Sequence, residues 1–169
     1  MVGGHLPAAE RAARLSLMGA PFDPEEVLAW PLMAVLATAS PEGPRGAPVW
    51  YRWEEGALWM LSQEGASSAR RIAADPRASV EIVDYDNAAG VLRHLGLRGQ
   101  ASVERSDPAR FRRLLARYLG PDPMRWNAWF VENVACIEAP ARRMIRLEPE
   151  SVFANDVSVF RTGPALASR

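Results

Sequence analysis

Strand-like segments separated by short turns dominate the sequence from residue 32 onward, and this pattern limits the possible folds more than any other feature. The segments are rich in branched and aromatic residues, and Gly, Pro, Asp and Glu stand between them. Two glycines inside 91–105 predict a bulge or bend there. The predicted strands cover residues 32–40, 46–55, 57–63, 77–86, 91–105 and 141–156.

This spacing predicts a mainly β fold with peripheral helices, namely a six-stranded antiparallel split β-barrel. No GxGxxG motif is present, so a doubly wound dinucleotide-binding sheet is not expected. Helices are predicted at 8–19, 23–30, 66–75 and 107–120, with another inside 121–135. We divide the chain into N-terminal helices packing on the barrel (1–30), the barrel domain (31–156) and a C-terminal tail (157–169).

Composition excludes several classes of function. The formal net charge of the 169 residues is zero, which gives no reason to expect nucleic-acid or membrane binding. No apolar run reaches the length of a membrane span and no signal-peptide core is visible, so we expect a cytoplasmic protein. One cysteine, Cys136, allows no intrachain disulfide, and its apolar surroundings predict a buried thiol. We expect no metal site, because only two histidines accompany that cysteine.

The stretch GASSARRIAADP (65–76) is the strongest candidate for binding chemistry. It predicts a short helix directly after a strand, and a helix N-terminus presents unpaired amides and a partial positive charge to an anion. The chain contains no lysine, so an anion must be held by arginine or by backbone amides. The alternative is that the serines only cap the helix and the arginines only face solvent.

The stretch PVWYRW (48–53) is a second candidate, because it places aromatic rings on both faces of one strand. One face must pack in the core, and the other could contact a planar ligand. Aromatic residues at strand spacing also occur in ordinary barrel cores, so this pattern is less specific than the first.

The order of these features resembles the flavin-binding split barrels of the pyridoxamine 5′-phosphate oxidase-like superfamily, which include deazaflavin-dependent reductases. The block from the second strand to the helix after the third (46–80) carries the specific part of the resemblance. The sequences LRGQASVE and RMIRLEPESVFAND resemble later strands of that superfamily. The similarity extends over about residues 30 to 156.

The resemblance implies a flavin between two protomers of a homodimer and assigns residues to it. The ring would be bordered by Pro48, Val49, Trp50 and Tyr51. Leu61 and Ser62 would meet the ring or ribityl chain, and Arg52 would be a basic residue near the cofactor. The phosphate would be faced by Ser67, Ser68, Arg70 and Arg71. His94 would provide a polar contact from the partner.

Departures from the superfamily pattern concern the phosphate. Related oxidases keep Arg-Lys where this chain has Ser67 and Ser68, and an Arg where it has Ala47. Only Arg70 and Arg71 stand nearby to compensate. The aromatic and arginine-rich C-terminal segment that pyridoxamine oxidases use on their substrate is also missing, so that substrate is not expected.

Three functions follow as hypotheses. The first is an FMN-dependent or deazaflavin-dependent oxidoreductase acting on a small organic molecule. The second is a non-catalytic barrel dimer that holds flavin, haem or another planar ligand, with haem the less favoured. The third is a cofactor-free dimer with a structural or partner-binding role. Trp126 and Trp129 are candidates for the dimer interface.

Overall fold

A computed structural model describes residues 20–136, 139 and 141–158. The predicted helix at 8–19 and the residues from 159 onward lie outside this part of the chain. The helices are α1 Pro24–Ala29, α2 Ser67–Ala74, α3 Pro108–Leu119 and α4 Ala128–Ala135, with a 3-10 turn at Pro123–Arg125. The strands are β1 Ala34–Thr38, β2 Arg45–Val49, β3 Tyr51–Glu54, β4 Ala57–Gln63, β5 Arg77–Asp86, β6 Val91–Arg105 and β7 Arg142–Asp156.

One antiparallel sheet contains all these strands in the order β2-β1-β5-β6-β7-β4-β3. Strands β2 and β3 form its two edges, although only Trp50 separates them in the chain. The sheet must therefore curl until its edges meet at Trp50. This confirms the predicted split barrel with one difference. The segment predicted as a single strand at 46–55 is two strands, because the chain changes its pairing partner from β1 to β4.

The inward faces of the strands form the main core. Leu36, Val80 and Leu97 lie side by side in register on β1, β5 and β6, and all three are buried. Helix α2 adds Ile72 to this core, and α1 adds Leu28. Since each side chain on these strands alternates between the two faces, every second residue is left on the outside of the barrel.

Helix α3 covers part of the outside. Its residue Leu114 packs against Trp59 of β4 and Met144 of β7, while Phe111 and Leu115 form an adjacent cluster with Trp126. Asp107 caps the helix by accepting a hydrogen bond from the amide of Ala109, as the sequence predicts. No helix in the described part of the chain is long and apolar enough to cross a membrane.

The bulge predicted in the long strand is present at Arg98 and Gly99, where the register between β6 and β7 shifts. The backbones approach so closely there that a Cβ atom on Gly99 would stand 1.9 Å from the carbonyl oxygen of Glu148. A backbone atom has no flexible end that could move aside. Glycine is therefore required at this position for steric reasons.

We expect Gly99→Ala to lower the free energy of unfolding by about 2 kcal/mol or more, because overpacking of this kind typically costs 1–3 kcal/mol. Gly46→Ala is the matched control. Its Cβ would meet only the Val35 Cγ1 atom, at 3.3 Å, which a shift of a few tenths of an ångström relieves, so the loss there should be smaller. Urea unfolding of both variants measures the difference, and equal stability would contradict the steric requirement.

Candidate functional site

A cleft of about 240 Å³ opens where β4, α2, α3 and α4 meet. Three of the residues expected at the cofactor, Leu61, Ser62 and Ser68, line it. The structure thus brings together the strand end and the helix start that the resemblance assigned to one site. The other lining residues are Gln63, Ala66, Phe111, Leu115, Trp129, Phe130 and Arg142.

The N-terminus of α2 lies at this cleft without a side-chain cap. The N-cap residue is Ala66, which offers no acceptor, and neither Ser67 nor Ser68 takes that role. The first-turn amides of a helix have no partner within the helix and attract anions. The alternative that the serines merely cap the helix is therefore wrong.

The two arginines of α2 differ in their surroundings. Arg71 lies three residues after Ser68, on the same side of the helix, and its Nε donates to the Thr38 hydroxyl at 2.7 Å. Thr38 is buried, so this bond fixes the Arg71 guanidinium beside the end of β1. Arg70 and Ser67 are both exposed. Ser68 therefore lines the cleft, whereas Arg71 lies in the last turn of α2 with its guanidinium held at the end of β1.

Ser62 supplies an unused hydrogen-bonding group. Its Oγ atom is buried and has no hydrogen-bond partner within the described residues. A buried hydroxyl without a partner is costly, and a ligand that hydrogen-bonds to it removes that cost. Together with the uncapped helix, this is a polar end of the cleft prepared for an anionic or hydroxylated group.

Trp50 does not line the cleft but lies behind its aromatic wall, stacked between two other rings. Tyr118 stacks on its indole with 4.7 Å between ring centroids and 2° between planes, and Phe130 stacks on it at 5.3 Å and 17°. Trp129 meets Phe130 edge-on at 4.9 Å. The break between β2 and β3 at Trp50 is the seam of the barrel. Four aromatic rings thus run from this seam to the rim of the cleft.

Tyr51 is not exposed to the cleft, although the resemblance placed it at the ring. Its side chain is fully buried, and its hydroxyl lies 3.0 and 3.1 Å from the carbonyls of Val27 and Trp30 at the end of α1. Burial raises the pKa of Tyr51 well above its usual range despite the nearby Arg117 guanidinium, so the phenol stays neutral and donates. Its side chain holds α1 on the barrel.

Tyr118 closes the seam. Its hydroxyl accepts from the Tyr51 backbone amide at 3.1 Å and donates to the Leu32 carbonyl at 2.9 Å. Burial also raises the pKa of Tyr118, which keeps this hydroxyl protonated. The phenol thereby takes the place of a strand partner for the first residue of β3.

Arg52 turns to an ionic cluster that joins β3 to α3. Its Nε donates to Glu54 at 2.9 Å, and Arg113 donates to the same carboxylate at 2.5 Å. Burial raises the pKa of Glu54, but hydrogen bonds from these two arginines outweigh it and hold that pKa below its usual value. Arg110 lies 3.8 Å over the Trp59 ring beside this cluster. Arg52 therefore has a structural partner here.

Pro48, Val49 and His94 lie away from the cleft. Val49 packs against the barrel core, whereas Pro48 is exposed on the outer face of the sheet. His94 lies on the same outer face, where its Nε2 is 2.7 Å from a Glu81 carboxylate oxygen and its ring meets Phe153 edge-on. The expected residues thus occupy the cleft, the core and the outer face.

Several cleft residues have no clear signal in the sequence. Trp129 and Phe130 lie on a short apolar helix typical of a core or an interface, and Arg142 begins a strand far along the chain. Trp126, one of the two expected interface residues, is buried, and its indole donates to the Gly120 carbonyl at 2.9 Å. The prediction of a buried Cys136 is wrong, since the residue is exposed at the end of α4.

The curled sheet, its seam and the helix at one end define a split barrel. The sequence profile of the family "Pyridoxamine 5′-phosphate oxidase" matches residues 24–156. The chain therefore belongs to the pyridoxamine 5′-phosphate oxidase family. No curated protein sequence matches it.

Solved structures share this fold. An F420 reductase is 27% identical, with a TM-score of 0.60, and the match covers 79% of this chain and 98% of that one. The conserved hypothetical protein Rv2991 from Mycobacterium tuberculosis is 19% identical, with a TM-score of 0.67 and coverages of 89% and 96%. HutZ, the heme storage protein from Vibrio cholerae, is 18% identical, with a TM-score of 0.55 and coverages of 76% and 89%.

We expect Tyr118→Phe to lower the free energy of unfolding by about 1–3 kcal/mol, because the amide of Tyr51 and the carbonyl of Leu32 would lose their partner. Tyr85→Phe is the control, since that ring is 60% exposed. Urea unfolding compares the two variants. If both changed stability equally, the hydroxyl of Tyr118 would not be closing the seam.

Proposed function

We propose that this protein is an oxidoreductase that binds a flavin-type cofactor in the cleft between α2 and α4 and acts on a small organic substrate. The observation that carries the proposal is the uncapped N-terminus of α2 beside the unpartnered Ser62 hydroxyl. Family membership supports it, because the family binds flavin-type cofactors. FMN is the cofactor we favour, and the 27% identity to an F420 reductase makes a deazaflavin the second candidate.

The cofactor phosphate would lie at the start of α2. Backbone amides of the first turn and the Ser68 hydroxyl would donate to it, and the Arg71 guanidinium would supply the charge by exchanging its contact with Thr38 for the phosphate. Ser67 and Arg70 would stand on the exposed side of the same turn. Because positions 67 and 68 hold serines, the amides would carry more of the binding than in relatives with basic residues there.

The planar ring would lie toward Trp50, with Leu61 beneath it and Ser62 hydrogen-bonding to the ring or the ribityl chain. Bound flavin supplies hydride and electron transfer, which this chain's own side chains cannot perform. The residues of the cleft hold the cofactor, exclude water from one side of it and leave the other side open to a substrate. A binding protein without turnover is the second candidate, because the phosphate contacts are few.

We expect Arg71→Ala to weaken FMN binding by on the order of 10-fold or more, since a charge-assisted hydrogen bond contributes roughly 1.5–3 kcal/mol. Riboflavin, which lacks the phosphate, should bind the variant and the unchanged protein equally. Quenching of flavin fluorescence measures both dissociation constants.

Arg112→Ala is the control for that titration, because Arg112 is an exposed arginine on α3. It should leave both dissociation constants unchanged. Equal loss of FMN and riboflavin in Arg71→Ala would place the phosphate elsewhere. If FMN and the deazaflavin coenzyme both failed to bind the unchanged protein, the proposed function would be wrong.

We also propose that the protein is a homodimer whose contact is the outer face of β1, β5, β6 and β7. Outward positions of a solvent-facing sheet are normally polar. Here Val35, Val83 and Phe153 stand on that face with exposures of 43%, 47% and 54%. Near its centre, the Glu81 carboxylate has a hydrogen-bond partner within the chain, since it lies 2.7 Å from His94 Nε2. A two-fold contact brings such a patch against its own copy, so one surface serves both partners.

We expect Val83→Arg to convert the dimer to a monomer, because two unpaired guanidinium groups would be buried in the contact. Val131→Arg is the control. Val131 is 45% exposed but lies on α4, outside the outer face. Sedimentation velocity measures the mass. A dimer in both variants would assign the contact to another surface.

A further inference from the structure

The indole of Trp50 is already occupied by side chains of the chain itself. Tyr118 belongs to the seam and cannot leave without breaking the hydrogen bonds to Tyr51 and Leu32. Phe130 has no such bonds, since its side chain contributes only a ring. It is nevertheless almost parallel to the indole, at 17° and 5.3 Å, which is the geometry that a planar ligand would adopt.

The cleft is small while Phe130 lies there. Its volume of about 240 Å³ is below the roughly 300–1,000 Å³ of pockets that hold small molecules. Phe130 and Trp129 form its wall on the α4 side. Moving α4 away would therefore enlarge the cleft and expose the Trp50 indole at the same time.

Helix α4 is suited to such a movement. It has eight residues, and helices of this length have little stability of their own. Phe130 and Val134 pack against the neighbouring cluster, whereas Trp129 and Val131 are 60% and 45% exposed. Of the side chains of α4 that the structure describes, Phe130 and Val134 are those packed on this cluster, so few contacts oppose its separation from the barrel.

We propose that Phe130 is an internal competitor for the ring position on Trp50, and that α4 must carry Phe130 away before a planar cofactor can stack there. This inference rests on the proposed flavin site. It adds that affinity is set by the equilibrium between a Phe130-stacked form and an open form of the same chain. A ligand that binds only the open form has its apparent affinity reduced by the fraction of open molecules.

The test is stopped-flow binding of FMN to the full chain with Phe130→Leu, which keeps an apolar side chain in the cluster but cannot stack. We expect binding about 2- to 10-fold tighter, the range that corresponds to loss of one aromatic pair. The observed rate constant should level off at high FMN in the unchanged protein, because opening comes first, and rise linearly in the variant.

Val131→Ala is the matched control on the same helix and should behave as the unchanged protein. Phe130→Ala, checked for folding by circular dichroism, should bind FMN more tightly in the same way. FMN binding that is unchanged or weaker in both Phe130 variants would contradict the proposal that Phe130 competes for Trp50. The proposed flavin site would still stand. Failure of every variant and of the unchanged protein to bind FMN or the deazaflavin coenzyme would overturn both.

Discussion

The fold depends on one constraint, which is that a single ten-residue segment supplies both edges of the sheet. Strand β2 pairs with β1 and strand β3 pairs with β4, so the chain must leave the first ladder and join the second within one residue. Trp50 is that residue, and it belongs to neither strand. A backbone amide at such a break needs a partner from outside the sheet. Tyr118 supplies it for Tyr51, which binds helix α3 to the seam and fixes one ring beside the indole.

Ion pairs with Glu54 of β3 also hold α3 in position. Glu54 accepts hydrogen bonds from Arg52 and Arg113, and Arg110 lies between that cluster and the face of Trp59. Because the pKa of Glu54 is lowered, the carboxylate stays ionised through the neutral range, and the cluster weakens only when acid protonates it. The resemblance placed Arg52 near the cofactor. In the structure, Arg52 shares the Glu54 carboxylate with Arg113 of α3. The electrostatic cluster and the aromatic seam therefore support the same wall of the cleft.

Much of the fold could be predicted from the sequence, because its signals are local. Strands 57–63, 77–86 and 91–105 have the predicted ends, since turn residues mark each of them, and the paired glycines indicated the bulge at Gly99. The break at Trp50 could not be seen, because the apolar pattern runs through it and only the change of pairing partner creates it. Leu61, Ser62 and Ser68 lie close in the sequence, so their grouping was predictable. Trp129, Phe130 and Arg142 reach the cleft from distant elements, and nothing in their local pattern distinguishes them from core residues.

The serines at positions 67 and 68 and the rings stacked on Trp50 would both affect how tightly one ligand binds. Charge-assisted hydrogen bonds to a phosphate are stronger than neutral ones, so a site with fewer cations gains less binding energy from the phosphate. This chain has no lysine and has hydroxyls at 67 and 68, and its Arg71 is held by Thr38 in the last turn of α2. In the proposed flavin site, a ring contact at Trp50 would then contribute a larger share of the affinity. For the same reason, Phe130, which already stacks on Trp50, would influence flavin binding more than it would in a barrel with a fully basic phosphate site.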